Sequence, residues 1–207
     1  MARTNVQKAK SKVTKWIQVL IFLFVLAALV LLVHRLIINY AYPTDYSEYV
    51  EKWCSEYNVD EALVYSIIKT ESGFDAAKKG GMDKNKYGLM QIDNTEYKYI
   101  FEKLRIVDGD KHTLNDMTDP DTNIKYGVYY LKMLEDKFGS DKVTLLAAFY
   151  EGPSTVEGWL KVPEYSSDGK TLTNYTGDKL HAYVKKVQSA EKIYKKILGE
   201  EYIWQII

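Results

Sequence analysis

A mainly α-helical domain behind one N-terminal transmembrane helix is the architecture this sequence predicts, on three observations. The run from Ile17 to Val33, IQVLIFLFVLAALVLLV, holds a single polar side chain, Gln18. Beyond it, apolar residues recur at the three- and four-residue spacing of helices. Strand signals are nearly absent: only Tyr87 to Ile92 suits a short extended or hairpin segment, and no strand–helix alternation implies a parallel sheet.

Extended through Ile38, the apolar run would measure roughly 30 Å as a helix, about the thickness of a bilayer's hydrocarbon core. Arg3, Lys8, Lys10, Lys12 and Lys15 precede it with no acid among them, which assigns this flank to the cytoplasm and the chain beyond Asn39 to the outside. A cleavable signal peptide is the alternative, but its apolar region runs about 7 to 15 residues and ends at a small-x-small site. Here His34, Arg35, Leu36, Ile37, Ile38 and Asn39 come next instead, which favours a retained anchor in the cell membrane. The expected organisation is a cytoplasmic basic segment (1–15), a single-pass anchor (16–38), a junction (39–44) and one extracellular domain (45–207).

Of the 28 basic and 28 acidic residues, the first forty positions hold six bases and no acid, so the outer domain has six more acids than bases. That excess argues against nucleic acid as a partner. A domain of this size can bury a real core, and no repeat or second composition break suggests another. Cys54 is the only cysteine, which excludes an internal disulfide, a redox pair and a thiolate zinc site; it reads as a small buried hydrophobe. His34, His112 and His181 lie far apart without ligand spacing, so no metal or cofactor is expected.

Helix signals recur along the outer domain. Asp45 and Glu48 have the spacing of a capping box ahead of a stripe of Tyr46, Tyr49, Val50, Trp53 and Tyr57, a helix bracketed by Pro43 and Asn58. Asp60 caps a second helix ending at Gly73, and Asp93 or Asn94 starts a third running to about Leu104. The Gly- and Lys-rich stretch from Lys78 to Tyr87 between them is a loop. Asp119-Pro120 starts a fourth, in which Ile124, Val128, Leu131, Leu134 and Phe138 recur until Gly139. Residues 141 to 151 form a fifth, closed by Gly152 and Pro153; a short piece around Val156 to Leu160 and a polar loop through Ser166 to Gly169 come next. The last helix carries Leu180, Tyr183, Val184, Val187, Tyr194 and Ile197.

In the second of these helices Val64, Ile67, Ile68 and Glu71 share one face, so a carboxyl group falls on the stripe that must meet the interior. Burial and the negative end of the helix dipole both favour the acid that keeps its proton. Protonation of a departing sugar oxygen in glycosidic cleavage needs such a group. A second reading stays open on this helix alone: Glu71, last in its helix, tips outward to solvent, because carboxylates are seldom buried without a partner.

Further segments carry more weight. Glu71-Ser72-Gly73-Phe74, then Gly88-Leu89-Met90-Gln91-Ile92, then Asp119-Pro120 with Asn123-Ile124, Gly127 and Tyr130-Leu131 succeed one another in order. Leu146-Ala147-Ala148, Gly152-Pro153, Val156, Trp159-Leu160, Ser167 to Leu172 and Tyr183-Val184 with Val187 continue the series. From Tyr46 to about Leu198 the chain resembles the soluble lytic transglycosylase domain of lysozyme-like fold. The resemblance implies cleavage of the β-1,4 bond between N-acetylmuramic acid and N-acetylglucosamine in peptidoglycan, with a 1,6-anhydro ring left on the muramic residue. It makes Glu71 the catalytic acid and then base. Ser72, Gly88, Met90 and Gln91 become cleft residues, with Gln91 near the acid.

The chain departs from the family's pattern after Ala148. Relatives read tyrosine, asparagine, small residue, glycine, proline, whereas this chain reads Phe149, Tyr150, Glu151, Gly152, Pro153. The tyrosine hydroxyl is lost at Phe149, and Tyr150 offers a phenol one position later, about 100° around a helix. The 78–87 loop and Asn174 to Asp178 also differ from the common pattern. Tyr150, Trp159 and Tyr183 are the aromatic residues the resemblance places best for stacking on sugar rings. Two other outcomes are carried forward: a hydrolase like goose-type lysozyme, which shares Gly-Leu-Met-Gln-Ile-Asp up to Asp93, and a glycan-binding or scaffolding protein without turnover, suggested by Phe149 and Tyr150.

Overall fold

The structure is a computed structural model that describes residues 2–80 and 85–206, with side chains described outside 2–14, 107–108 and 200–206. The apolar end from Tyr202 to Ile207 therefore lies outside the described side chains. The chain divides into two compact units, Met1–Pro43 and Thr44–Ile207.

The first unit is one helix, α1 (Ala2–Ala41), which continues beyond Ile38. Its segment Lys15–Ala41 is long and apolar enough to cross a membrane. Phe24 and Leu31 are among the large apolar side chains it exposes, at 76% and 70%. A helix that is apolar on all sides and keeps every backbone bond within itself suits a hydrocarbon surround and little else.

The second unit is mainly α, as its spacing predicts: α2 (Ser47–Tyr57), α3 (Glu61–Glu71), α4 (Asn94–Asp108), α5 (Pro120–Phe138), α6 (Lys142–Glu151), α7 (Pro153–Leu160) and α8 (Asp178–Ile206), with a 3-10 turn at Leu114–Thr118. Among the described residues the strands are one short antiparallel pair, β1 (Lys86–Tyr87) with β2 (Ile92–Asp93), in which Tyr87 faces Ile92. It lies where the sequence allowed a hairpin.

Aspartates begin four of these helices, as short acceptors for orphan backbone donors should. Asp60 accepts from Ala62 N, Asp93 from Thr95 N and Glu96 N, Asp119 from Thr122 N, and Asp141 from Thr144 N. The capping box expected from Asp45 and Glu48 does not form. Tyr46 precedes the helix in the left-handed region at φ 65°, and no side chain caps α2. α4 also outruns its expected end at Leu104, stopping at Asp108 before a left-handed Gly109.

The core is built around α3. Ala62 to Ile68 are all buried, and α3 packs chiefly against α8 while α2 packs against α5. Tyr65 stacks on Tyr194 of α8 with ring centres 5.3 Å apart. Each such fully buried Leu, Ile or Val contributes about 1.5–3 kcal/mol over its exposed state. Leu180, Tyr183, Val184, Val187 and Tyr194 form the buried stripe of α8, and Cys54 is buried. The aromatic stripe of α2 is packing: Tyr57 lies between Trp53 and Tyr129 of α5, and the Trp53 indole N–H donates to Asp121.

Candidate active site

The site starts at the abrupt end of α3. Ser72 closes the helix with its N–H and its hydroxyl both donating to Ile68 O, at 2.9 and 3.0 Å. The same hydroxyl accepts from Phe74 N at 3.1 Å. Gly73 and Phe74 then take φ 65° and 70°, two successive left-handed residues that turn the chain away at once. Lys78 reaches back to donate to the Glu71 carbonyl at 2.7 Å, a cation on the negative end of the helix. Glu71 is thus the last residue of a rigid, buried helix, and Ser72 serves the turn.

Val64, Ile67 and Ile68 are fully buried, and Glu71 Oε1 is shut off from solvent with them. The Tyr183 hydroxyl is likewise buried. Burial first, then the charge of Glu71, pushes the Tyr183 phenol well above its ordinary pKa. Tyr183 in turn packs its ring against Tyr150, 4.6 Å between centres. The side chains at 71, 150 and 183 are therefore brought together.

Tyr150 opens onto a cavity of about 480 Å³, whose walls come from β1 and β2 (Lys86, Asp93), the start of α4 (Glu96), α5 (Tyr130) and the α6–α7 junction (Glu151, Pro153). Phe149 does not line it. Its ring is buried and tilts against Tyr130, 5.6 Å away, so the position that lost its hydroxyl is core. Trp159 packs beside Tyr165, 6.2 Å between ring centres, away from this wall.

The Gly88–Ile92 turn is held by Asn123 of α5. Its side chain accepts from Met90 N at 2.7 Å and donates to Tyr87 O and Met117 O, both at 2.9 Å. Gly88 sits at φ 74°, and a β-carbon there would lie 2.2 Å from Met117 O. Met90 is fully buried against Gly127. Gln91, in the left-handed region at φ 54°, donates its amide to Gly88 O at 2.7 Å and Lys78 O at 3.1 Å. Gly88, Met90 and Gln91 thus build the turn that joins β1 to β2 and do not themselves line the cavity, and Gln91 also ties that turn to the loop leaving Glu71.

Sequence reasoning passed over Glu96. Its Oε2 accepts from Asp93 N at 2.8 Å, the reciprocal half of a capping box at α4. Desolvation raises its pKa to about 7, with the Lys86 charge and the bond from Asp93 N opposing and the charges of Asp93 and Glu71 adding to the rise. The D-x-x-E spacing of Asp93 and Glu96 was the available signal, though it announces a cap and not a cleft. Tyr130, whose phenol burial and then Glu96 push upward, is another cleft residue left out.

The chain is 23% identical over 161 residues to the soluble lytic murein transglycosylase of Escherichia coli K12, covering 77% of this chain and 24% of that protein. It is 28% identical over 176 residues to the membrane-bound lytic murein transglycosylase C of Serratia proteamaculans, covering 73% and 47%. It therefore spans about a quarter to a half of the length of these relatives. Among solved structures, the 70 kDa soluble lytic transglycosylase of Escherichia coli superposes with a TM-score of 0.65 at 21% identity, over 76% of this chain and 25% of that one. The lytic transglycosylase Slt of Pseudomonas aeruginosa gives 0.63 at 22% identity, over the same shares. At such identities these superpositions speak to fold. The family profile of the transglycosylase SLT domain matches residues 48–171, most of the second unit and more than half of the chain, so this protein belongs to the transglycosylase SLT domain family.

Proposed function

We propose that this protein is a membrane-anchored peptidoglycan lytic transglycosylase in which Glu71 acts first as acid and then as base. The carrying observation is the burial of Glu71 Oε1 next to Tyr183, whose ring packs on Tyr150 of the cavity wall. Glu71 gives its proton to the glycosidic oxygen as the bond to the muramic anomeric carbon breaks, freeing the N-acetylglucosamine hydroxyl. The substrate's own acetamido group stabilises the positive charge left on that carbon. The muramic 6-hydroxyl then attacks it, its proton returns to the Glu71 carboxylate, and a 1,6-anhydro ring closes without water. One carboxyl group thus serves both steps. Ser72 shapes the turn after Glu71; Gly88, Met90 and Gln91 hold the β1–β2 turn, and Tyr150, packed on Tyr183, faces the glycan.

The experiment is incubation of the full chain, in detergent micelles, with purified peptidoglycan and mass spectrometry of the soluble products. Anhydromuropeptides are expected from wild type and none from Glu71→Gln. Products heavier by one water would establish a hydrolase, and glycan binding without release would establish a scaffold; either result rejects the reading.

The basic flank through Lys15 and the apolar Lys15–Ala41 segment support an N-terminus inside the cell and the second unit outside it. Protease added to intact cells should then digest the domain, and full protection would reject this orientation.

A further inference from the structure

Lys137 stands in two walls at once. It borders the cavity that Tyr150 lines, and it borders a second recess, a groove of about 630 Å³ that the reaction above leaves unused. The groove is walled by the end of α5 (Lys137, Phe138), by α7 and the residue after it (Glu157, Leu160, Lys161) and by the loop before α8 (Lys170). Three cations and one acid meet there, on a domain that carries six more acids than bases. Lys137 is paired, its Nζ 2.6 Å from Glu157 Oε1. Lys161 and Lys170 are exposed and, among the described residues, their side chains have no ion-pair partner. Their backbones are fixed. Lys161 N donates to Gly158 O at 3.3 Å where α7 ends, and Lys170 N donates to the Asp168 carboxylate at 2.8 Å, in a loop that the same carboxylate ties to Ser166 Oγ and Thr171 N.

We propose that this groove binds the acidic stem peptide of peptidoglycan, the short chain amide-linked to the lactyl group of muramic acid, and that Lys161 and Lys170 take its carboxylates. The two recesses share Lys137, so a branch leaving a sugar in the cavity meets the groove next. Phe138 and Leu160 give the groove an apolar surface suited to alanyl methyl groups between the charges. A phosphodiester polymer is the rival polyanion, but beyond this patch it would run along a domain whose net charge repels it. A peptide with a few carboxylates needs only the local cations. The inference rests on peptidoglycan being the substrate, as proposed above.

The test compares two preparations of one peptidoglycan, both freed of phosphodiester polymers with hydrofluoric acid: strands that keep their stems, and strands stripped of them by an N-acetylmuramoyl-L-alanine amidase. Full-length protein in detergent micelles is used throughout. Wild type supplies kcat/KM, and Glu71→Gln supplies affinity for immobilised strands. Stems should improve both by about tenfold, the scale that two exposed charge pairs reach, and high salt should shrink the advantage. Lys161→Gln together with Lys170→Gln, two changes at exposed side chains, should bring the ratio between the two preparations close to one. A wild type indifferent to stems, or an advantage that survives both substitutions, would overturn the proposal. So would a dependence on the two lysines that appears only on peptidoglycan still carrying its phosphodiester polymers, which would assign the groove to those. If no strand is cleaved while stem-dependent binding still falls with the two lysines, the groove stands and the transglycosylase reading is rejected instead.

Discussion

Met90 rests directly on Gly127: a β-carbon added to that glycine would lie 2.2 Å from the Met90 sulfur and 2.9 Å from its Cβ. The turn between β1 and β2 therefore packs on the bare backbone of α5. Gly127→Ala should destabilise the domain by about 1–3 kcal/mol, the usual range for overpacking a filled core. The thioether can swing aside but the Met90 Cβ cannot, so the clash is not relieved by one rotamer. Urea unfolding of Gly127→Ala, Met90→Ala and the double variant should show the two costs to be strongly non-additive, as expected for atoms in contact. Additive costs would mean that the contact carries no strain.

A second buried arrangement secures the segment after α4. Asp110 accepts from Lys125 Nζ at 2.7 Å, Tyr126 OH at 3.1 Å and His112 N at 2.8 Å. Burial pushes this carboxyl group's pKa up, but the bonds from Lys125 and His112 prevail and hold it below its ordinary value. Lys125→Met should cost about 3 kcal/mol, because it takes the lysine cation from a carboxylate whose side chain is fully buried and leaves it its bonds from Tyr126 and His112. Replacing both residues together, Asp110→Leu with Lys125→Met, should recover much of that loss. Thermal melts of the three proteins check the ordering.

The depressed pKa fixes a sign as well. The stabilisation from Asp110 is complete above the ordinary aspartate pKa and is lost as pH falls through the lower folded-state value.

Much of this was legible in the sequence where short-range rules act alone. Asp60, Asp119-Pro120 and Asp141 announce helices because a cap needs only its own next three residues, and Glu71 fell on the buried stripe because helical periodicity is local. Asp45 and Glu48 had the spacing of a capping box and failed, since Tyr46 takes a left-handed conformation that the pattern does not encode. Glu96 was legible as a cap at most. Its place in the cavity wall depends on how β1, β2, α5 and the α6–α7 junction come together, a relation between elements. Phe149 shows the converse: the sequence marked it as a lost hydroxyl, and only packing against Tyr130 reveals that it belongs to the core.

Glu96 also predicts how stability changes with pH. Its pKa is raised from 4.5 to about 7, first by desolvation, so the folded state holds this proton more tightly than the unfolded chain does. The resulting stabilisation is fully present below the unfolded value and disappears as pH rises through the folded one. Between about pH 4.5 and about 7, wild type should therefore lose stability relative to Glu96→Gln, whose side chain does not titrate. The check is the difference in Tm between the two proteins across that interval, in which the remaining groups largely cancel. A difference that stays flat would mean that Glu96 ionises in the fold as it does in water.

Tyr183 separates packing from chemistry. Its ring is buried on α8 against Tyr150, while its hydroxyl lies next to Glu71. Tyr183→Phe keeps the ring and removes one polar atom that burial already penalises, so the Tm should change little. If the hydroxyl orients the Glu71 carboxyl group during proton transfer, kcat should drop by roughly 10- to 100-fold with KM nearly unchanged, because such an interaction acts in the transition state and not in glycan binding. Tyr150→Phe removes a phenol from the cleft wall instead and should raise KM more than it lowers kcat. Rates of anhydromuropeptide release over a range of peptidoglycan concentrations distinguish the two. Equal effects of both substitutions on KM alone would place the Tyr183 hydroxyl outside the chemistry.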